Sequence, residues 1–232
     1  MKTMLITGAN RGIGLEFCKQ YAVAGWRVLA CSRRPEGSEA LNTLAASHSE
    51  QIIVHALDVG NHSQIEKLAE SLSDESIDLL INNAGIYNTS PTGTVGNADY
   101  EAWMHSFLIN TIAPLRMVQA FTSQIARSGQ KTSVTISSQM GSIADNTSGG
   151  SYIYRTSKAA VNMIVKTLAI DLKSTGITSV ALHPGWVKTD MGGPNALIST
   201  TESVSGMRNV INHLTLADSG KFIAYNGKVV PW

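Results

Sequence analysis

TGANRGIG, residues 7–14, joins the apolar run TMLITGA (3–9) to an amphipathic stretch running from about Ile13 to Ala24 and closed by Gly25. Gly8, Gly12 and Gly14 remove side chains where a backbone must turn tightly and approach another group. A helix beginning here opens with free N–H groups and a partial positive charge, which suits an anion. The spacing is G-x-x-x-G-x-G and no G-K-[ST] follows, so a nucleotide-hydrolysing P-loop is disfavoured. Strand, glycine turn and helix in this order point to a dinucleotide pyrophosphate.

Working outward, further apolar runs stand at WRVLACS (26–32), IIVHALDV (52–59), IDLLINNAG (77–85), SVTISS (133–138) and SVALHPG (179–185), with a weaker one at FIAY (222–225). They are nearly continuous in apolar residues, as expected of parallel strands covered on both faces. Helical patterns fall between them near 38–47, 62–73, 98–127, 152–174 and 202–214. Asn61 is a candidate N-cap, with Gln64 at the capping-box position. The expectation is one α/β domain over residues 1–232, a Rossmann-type, doubly wound parallel sheet of about seven strands with helices on both faces. The stretch 186–206 is rich in Gly, Ser and Thr and follows a strand directly. Its place at the carboxyl end of the sheet predicts a lid over a bound ligand.

Composition narrows the function classes. The 232 residues are 43% hydrophobic and 15% charged, with a formal net charge of +1. No bulk field would gather nucleic acid or an acidic membrane. No apolar run approaches the ~20 residues of a membrane span, and the N-terminus lacks a charged region followed by a long apolar one. Two cysteines, Cys18 and Cys31, form no disulfide framework and fit a reducing compartment. A soluble cytoplasmic protein is expected. The six histidines show no H-x-x-x-H and no C-x-x-C partner, so no metal site is expected, and no G-x-S-x-G elbow occurs.

The end of the second strand speaks to the choice of dinucleotide. An Asp or Glu there would bond a ribose 2′-hydroxyl, whereas arginine meets a 2′-phosphate. Here Ser32 is followed by Arg33 and Arg34, and Arg11 in the glycine turn can reach the same place. Guanidinium groups bind phosphate through charge-assisted bonds, so NADP(H) is expected.

TGANRGIG (7–14), NNAG (82–85), Asn110, Ser138, the run from Tyr154 to Lys158 and PGWVKTD (184–190) stand in the order of the short-chain dehydrogenases/reductases, which the whole chain resembles. HPGWVKTDMGGPNA and GKFIAYNGKVVPW are similar to the branch of C-factor-like proteins and sniffer-type carbonyl reductases. The resemblance implies a catalytic set of Asn110, Ser138, Tyr154 and Lys158. It implies a cofactor site of Gly8, Asn10, Arg11, Gly12, Ile13, Gly14, Ser32, Arg33, Asp58, Val59, Asn83, Ala84, Gly85, Tyr154, Lys158, Pro184, Gly185, Val187 and Thr189. Within that site Asp58 would bond the adenine amine, with Val59 beside it, and Thr189 the nicotinamide carboxamide. Asn110 would hold a water leading to Lys158, and Ser138 would bond the substrate carbonyl. The Ser138-to-Tyr154 interval, 154 − 138 = 16, exceeds the family's usual spacing, the extra residues falling in DNTSGGS (145–151). The resemblance also implies a homodimer or homotetramer built on helices near 98–127 and 152–174.

The chemistry can be read from the residues as well. Tyr154 and Lys158 are i and i+4 on a helix and share a face. A nearby ammonium favours phenolate and lowers a phenol's pKa, and a proton donor works best near the operating pH. Tyr154 as acid, Lys158 as its tuner and Ser138 as positioning donor suit reduction of a small apolar carbonyl. Tyr152 is expected to pack on the opposite face. Ile86, Tyr87, Met140, Ile143, Trp186 and Met191 adjoin the site and suggest an apolar pocket. Two other readings stand beside this one: a dinucleotide-binding signalling or regulatory protein, and an NAD-dependent alcohol dehydrogenase, the latter weakened by the missing acid at Ser32.

Overall fold

The computed structural model describes residues 1–87 and 96–232. Seven parallel strands in the described residues form one sheet in the order β3-β2-β1-β4-β5-β6-β7. They are β1 (Thr3–Thr7), β2 (Arg27–Ser32), β3 (Ile52–Ala56), β4 (Leu79–Asn82), β5 (Thr132–Ile136), β6 (Thr178–His183) and β7 (Phe222–Ala224). The helices are α1 (Gly12–Val23), α2 (Glu39–Ser47), α3 (His62–Ser71), α4 (Tyr100–Phe107), α5 (Ala113–Arg127), α6 (Tyr152–Asp171) and α7 (Thr200–Asn212). Strand β1 is buried along its whole length, and its side chains alternate between two cores. Met4 and Ile6 pack with Phe17, Tyr21, Leu41, Val204 and Met207. Leu5 packs with Ile65, Leu68, Met117, Phe121 and Leu168. Helices α1, α2 and α7 therefore cover one face and α3, α5 and α6 the other. This is the single-domain, doubly wound architecture that the continuous apolar runs require, because neither face of such a strand can meet water.

Strand order reverses between β1 and β4, which opens the crevice where sheets of this kind bind ligands. Asn83 closes its floor: its Nδ2 donates to the carbonyls of Thr7 and Gly8, both at 3.0 Å. The Thr7 hydroxyl accepts from the amides of Asn83 and Ala84. The glycine turn and the segment after β4 are thus bonded into one unit.

Three elements differ from the sequence expectation. The helical stretch near 98–127 is interrupted by a π-helical turn at Leu108–Ile112. Pro114 has no N–H to close the α-helical bond to the carbonyl of Asn110. Asn61 does cap α3, accepting from the Gln64 amide at 3.2 Å, but the Gln64 side chain turns outward to accept from the Asp58 amide at 2.8 Å instead of completing a capping box. The polar run at 200–206, expected within a lid, is the first half of α7. Ser199 caps it by accepting from the Glu202 amide, and the buried Ser203 hydroxyl donates to the Pro184 carbonyl at 2.6 Å. Serine and threonine satisfy the free amides of a helix start, so a polar composition here marks a cap. No helix of the described residues is long and apolar enough to cross a membrane.

Candidate active site

Gly14, at the start of α1, shows why the turn after β1 excludes side chains. A Cβ on it would stand 2.1 Å from the Gly8 carbonyl oxygen and 2.6 Å from Asn83 Nδ2. The helix start is pressed onto the turn, and any larger residue would push the two apart. Gly8 and Gly12 take positive φ, +67° and +55°, and Ile13 and Asn10 are partly buried beside them. The cradle fits an anion held by backbone amides.

At the end of β2, Ser32 is 2% exposed and its hydroxyl lies 2.8 Å from that of Ser38. Ser38 in turn donates to the Arg34 carbonyl at 2.7 Å, so Ser32 is the donor to Ser38. The Ser32 hydroxyl, expected as a cofactor contact, braces the turn that carries Arg33 and Arg34, both exposed. Arg11 does not join them. Its Nη1 pairs with Asp190 Oδ2 at 2.5 Å across the crevice, and the two side chains are 71% and 75% exposed. Asp58 accepts from the Gly60 amide at 2.9 Å and Val59 is buried beside it.

The opposite wall is formed by β5, the 3-10 turn Gln139–Gly141 and α6. Ser138 lies two residues beyond β5 and caps the turn, accepting from the Met140 amide at 3.2 Å, and is hydrogen-bonded to the Tyr154 hydroxyl. The Tyr87 ring meets the Tyr154 ring edge-on, with centroids 4.7 Å apart. Lys158 is buried and its Nζ donates to the Ile136 carbonyl at 2.9 Å. Asn110, 1% exposed, pairs with the backbone of Ile86, accepting from its amide at 2.8 Å and donating to its carbonyl at 2.9 Å. A Cβ built at Gly85 would lie 3.3 Å from Asn110 Oδ1 and 3.7 Å from Lys158 Nζ. The four expected catalytic residues therefore converge on one wall, and Gly85 is the point between two of them. Pro184 and Gly185 follow β6, while Val187 is buried and forms a bridge with Ile198. Thr189 comes close to Gly12, whose added Cβ would lie 3.2 Å from Thr189 Cγ2.

The electrostatics depart from expectation. Lys158 does not draw Tyr154 down; burial pushes the phenol up to about 12, the Ser138 bond opposes that, and the Tyr87 phenol adds to it. The lysine Nζ stands 5.7 Å from the Tyr154 ring centroid and is committed to the Ile136 carbonyl. Burial lowers Lys158 itself to about 8. Sharing a helix face brings the two side chains together, but desolvation acts on both and disfavours the charged form of each. Tyr152, expected to pack, is 40% exposed instead.

Other residues hold the wall together without having stood out in the sequence. Arg155 donates to the carbonyls of Gly149 and Met140 and to the Ser148 hydroxyl, tying the extra loop to the 3-10 turn. Gly149, Gly150 and Ser151 all take positive φ just before α6, and the Ser151 hydroxyl bonds that of Tyr87 at 3.2 Å. His183 Nδ1 accepts from the Gln139 amide at 3.2 Å, and burial lowers its imidazole to about 4. The cue for Arg155 was its place between Tyr154 and Lys158, and for His183 its place at a strand end; neither residue type is diagnostic alone. No group of His, Cys, Asp or Glu among the described residues could hold a metal ion.

A profile of the short chain dehydrogenase family matches residues 2–197. The C-signal protein of Myxococcus xanthus is 44% identical over 156 residues, 67% of this chain and 93% of that protein. Carbonyl reductase Sniffer of D. melanogaster superposes with a TM-score of 0.93 at 31% identity, covering all of both chains. An NADPH-bound carbonyl reductase from chicken fatty liver gives 0.91 at 38% identity, covering all of this chain and 99% of that one. With the family profile spanning most of its length and a whole-chain superposition on a solved carbonyl reductase, this chain belongs to the short-chain dehydrogenase family of oxidoreductases.

Proposed function

We propose that the protein reduces a small apolar ketone or aldehyde with NADPH. The observation that carries this reading is Tyr154, hydrogen-bonded to Ser138 and one helical turn from a buried Lys158, on the wall facing a glycine cradle. NADPH would be held by the amides of Gly8 to Gly14 and by Arg33, with Asp58, Val59, Asn83, Ala84, Pro184, Gly185, Val187 and Thr189 along the crevice, and would supply a hydride. Ser138 holds the substrate oxygen, and Tyr154 gives that oxygen its proton. A phenol held near 12 stays protonated at neutral pH, so the donor is loaded before substrate arrives. Lys158, lowered to about 8, still carries most of its charge at neutral pH and favours the phenolate left behind. Asn110 fixes Ile86 and Gly85 beside it; the role in which its neighbourhood holds a water toward Lys158 is supported by the missing N–H of Pro114.

The bracing of Ser32 and the exposure of Arg33 and Arg34 favour a 2′-phosphate over a bare ribose, and the crystal forms of related carbonyl reductases with NADPH or NADP support the same choice. Following NADPH absorbance against a panel of aldehydes, ketones and quinones tests the reaction. Fluorescence titration tests the cofactor: NADPH binds more tightly than NADH, and Ser32→Asp with Arg33→Ala reverses the order. Equal affinities in the parent protein would remove the basis for the NADPH preference.

A signalling or regulatory protein is the second reading, favoured by the likeness to the C-signal protein. Tight NADPH binding with no carbonyl reduced across the panel would select it. The subunit is further proposed to pair through α4 and α6, which are joined by the Trp103 Nε1 bond to Thr156 Oγ1 and leave Met104, Met163 and Ile170 exposed. Light scattering after size exclusion distinguishes a monomer from a dimer or tetramer.

A further inference from the structure

Ser138 acts only if it is held at a fixed height over Tyr154, yet it belongs to the turn after β5 and Tyr154 to a helix. The residue that ties the segment around Ser138 to that helix is Asn162. It lies two turns along α6 from Tyr154 and one from Lys158, on the same face, and is 3% exposed. Its Oδ1 accepts from the buried Ser137 hydroxyl at 2.6 Å, and its Nδ2 donates to the Gly141 carbonyl at 3.2 Å. Those partners flank Ser138 on either side, one residue before it and three after. The amide has only one workable orientation, because the Gly141 carbonyl can accept and not donate. The turn is also pressed onto the helix at Gly141, where a Cβ would stand 2.8 Å from the Lys158 backbone.

We propose that Asn162 is a positioning residue of the catalytic wall, a bracket whose two hydrogen bonds set Ser138 over Tyr154. The inference rests on the carbonyl-reductase reading for its effect on turnover, but not for its geometry. An apolar residue here would let α6 pack equally well while leaving the Ser137 hydroxyl and the Gly141 carbonyl buried and unpaired. The turn would then shift to reach new partners, and displacements near 1 Å at a reacting centre cost up to about 10²-fold in rate.

The test compares the parent, Asn162→Ala, Ser137→Ala and the double variant, each as the full chain with NADPH. For Asn162→Ala the expectation is a kcat at least about tenfold lower, with NADPH affinity within about threefold of the parent, and faster amide hydrogen exchange confined to 138–142. Ser137→Ala removes one of the two bonds and shows the same pattern more weakly; it carries the test alone if the asparagine variant does not fold. The double variant loses less than the product of the single effects, since the two residues share a bond. Unchanged exchange over 138–142 overturns the bracket, whatever the activity. Turnover within twofold of the parent overturns it as well. If the parent reduces no carbonyl, the functional reading falls, and the exchange measurement still decides the role of Asn162.

Discussion

The two walls of the crevice are built on opposite plans. On the α6 side, Asn110, Lys158, Asn162 and Ser137 are all buried and bonded to backbone or to one another. On the glycine-turn side, the link to the loop after β6 is an exposed ion pair between Arg11 and Asp190. That loop is closed largely on itself, through the Leu197 and Lys188 amides and the Trp186 Nε1 bond to the Gly192 carbonyl at 2.8 Å. Buried hydrogen bonds are expensive to leave unmade, so the first wall holds one geometry. An exposed pair is worth about 0–1 kcal/mol, so the second can part from the glycine turn at little cost. A proton donor needs the former, and entry of a large cofactor the latter.

The sharpest break of this contrast is at Tyr154. Tyr154→Phe removes only the hydroxyl, and the loss of a general acid costs about 10²–10⁴ in rate while NADPH binding and folding persist. Tyr152→Phe, at an exposed position on the far side of α6, leaves turnover as it was. Parallel assays of carbonyl reduction and cofactor affinity check both. Turnover by Tyr154→Phe at the parent rate would place the proton source elsewhere.

Gly14→Ala attacks the other wall at the point where it is rigid. The added methyl meets backbone and not a flexible side-chain end, so the cost is that of overpacking, about 1–3 kcal/mol. Thermal melting shows the loss, and NADPH affinity falls with it as the cradle opens. An unchanged melting temperature would show that the helix start can slide.

The imidazole of His183 gives a smaller effect, visible only on the acid side. Its value is lowered from 6.5 to about 4, by burial first and against the pull of Asp145. Between those values the unfolded chain binds the extra proton and the folded chain does not. Stability therefore rises with pH through this window and is lost as the pH falls from 6.5 to 4. His183→Asn keeps an acceptor near the Gln139 amide and removes the titration, so its melting temperature changes less across the window than that of the parent. Identical slopes for the two proteins would rule out the imidazole as the source. Turnover has its own limit at the alkaline end: it declines as pH rises through about 8, where Lys158 loses its charge.

The smallest expected change in stability belongs to the loop after β6, proposed as a lid. Asp190→Ala leaves the melting temperature nearly unchanged, because the lost pair is exposed. It should nevertheless speed proteolysis within 186–198, and NADPH should slow that cleavage in the parent. Cleavage unaffected by either would mean that the loop is held by its internal bonds alone. The segment from 200 onward should resist protease in both proteins, since it is the start of α7.

Periodicity and glycine spacing were enough, by themselves, to determine the seven strands, their parallel arrangement and the cradle at 7–14, because both features are local. An apolar run covered on two faces and a backbone too crowded for side chains leave their mark residue by residue. The Tyr154–Lys158 pair was legible for the same reason, being one helical turn apart. What stayed hidden depends on partners far along the chain. Nothing in the residues around Ser32 shows that its hydroxyl is spent on Ser38, nor those around Arg11 that it faces Asp190. Asn162 reads as one polar residue on a helix until Ser137 and Gly141 are brought to either end of its amide. The sequence leads one to expect a lowered Tyr154 pKa because a neighbouring charge is local, whereas desolvation, which raises it, is the sum of everything the fold packs around a group. Only the tertiary structure performs that sum.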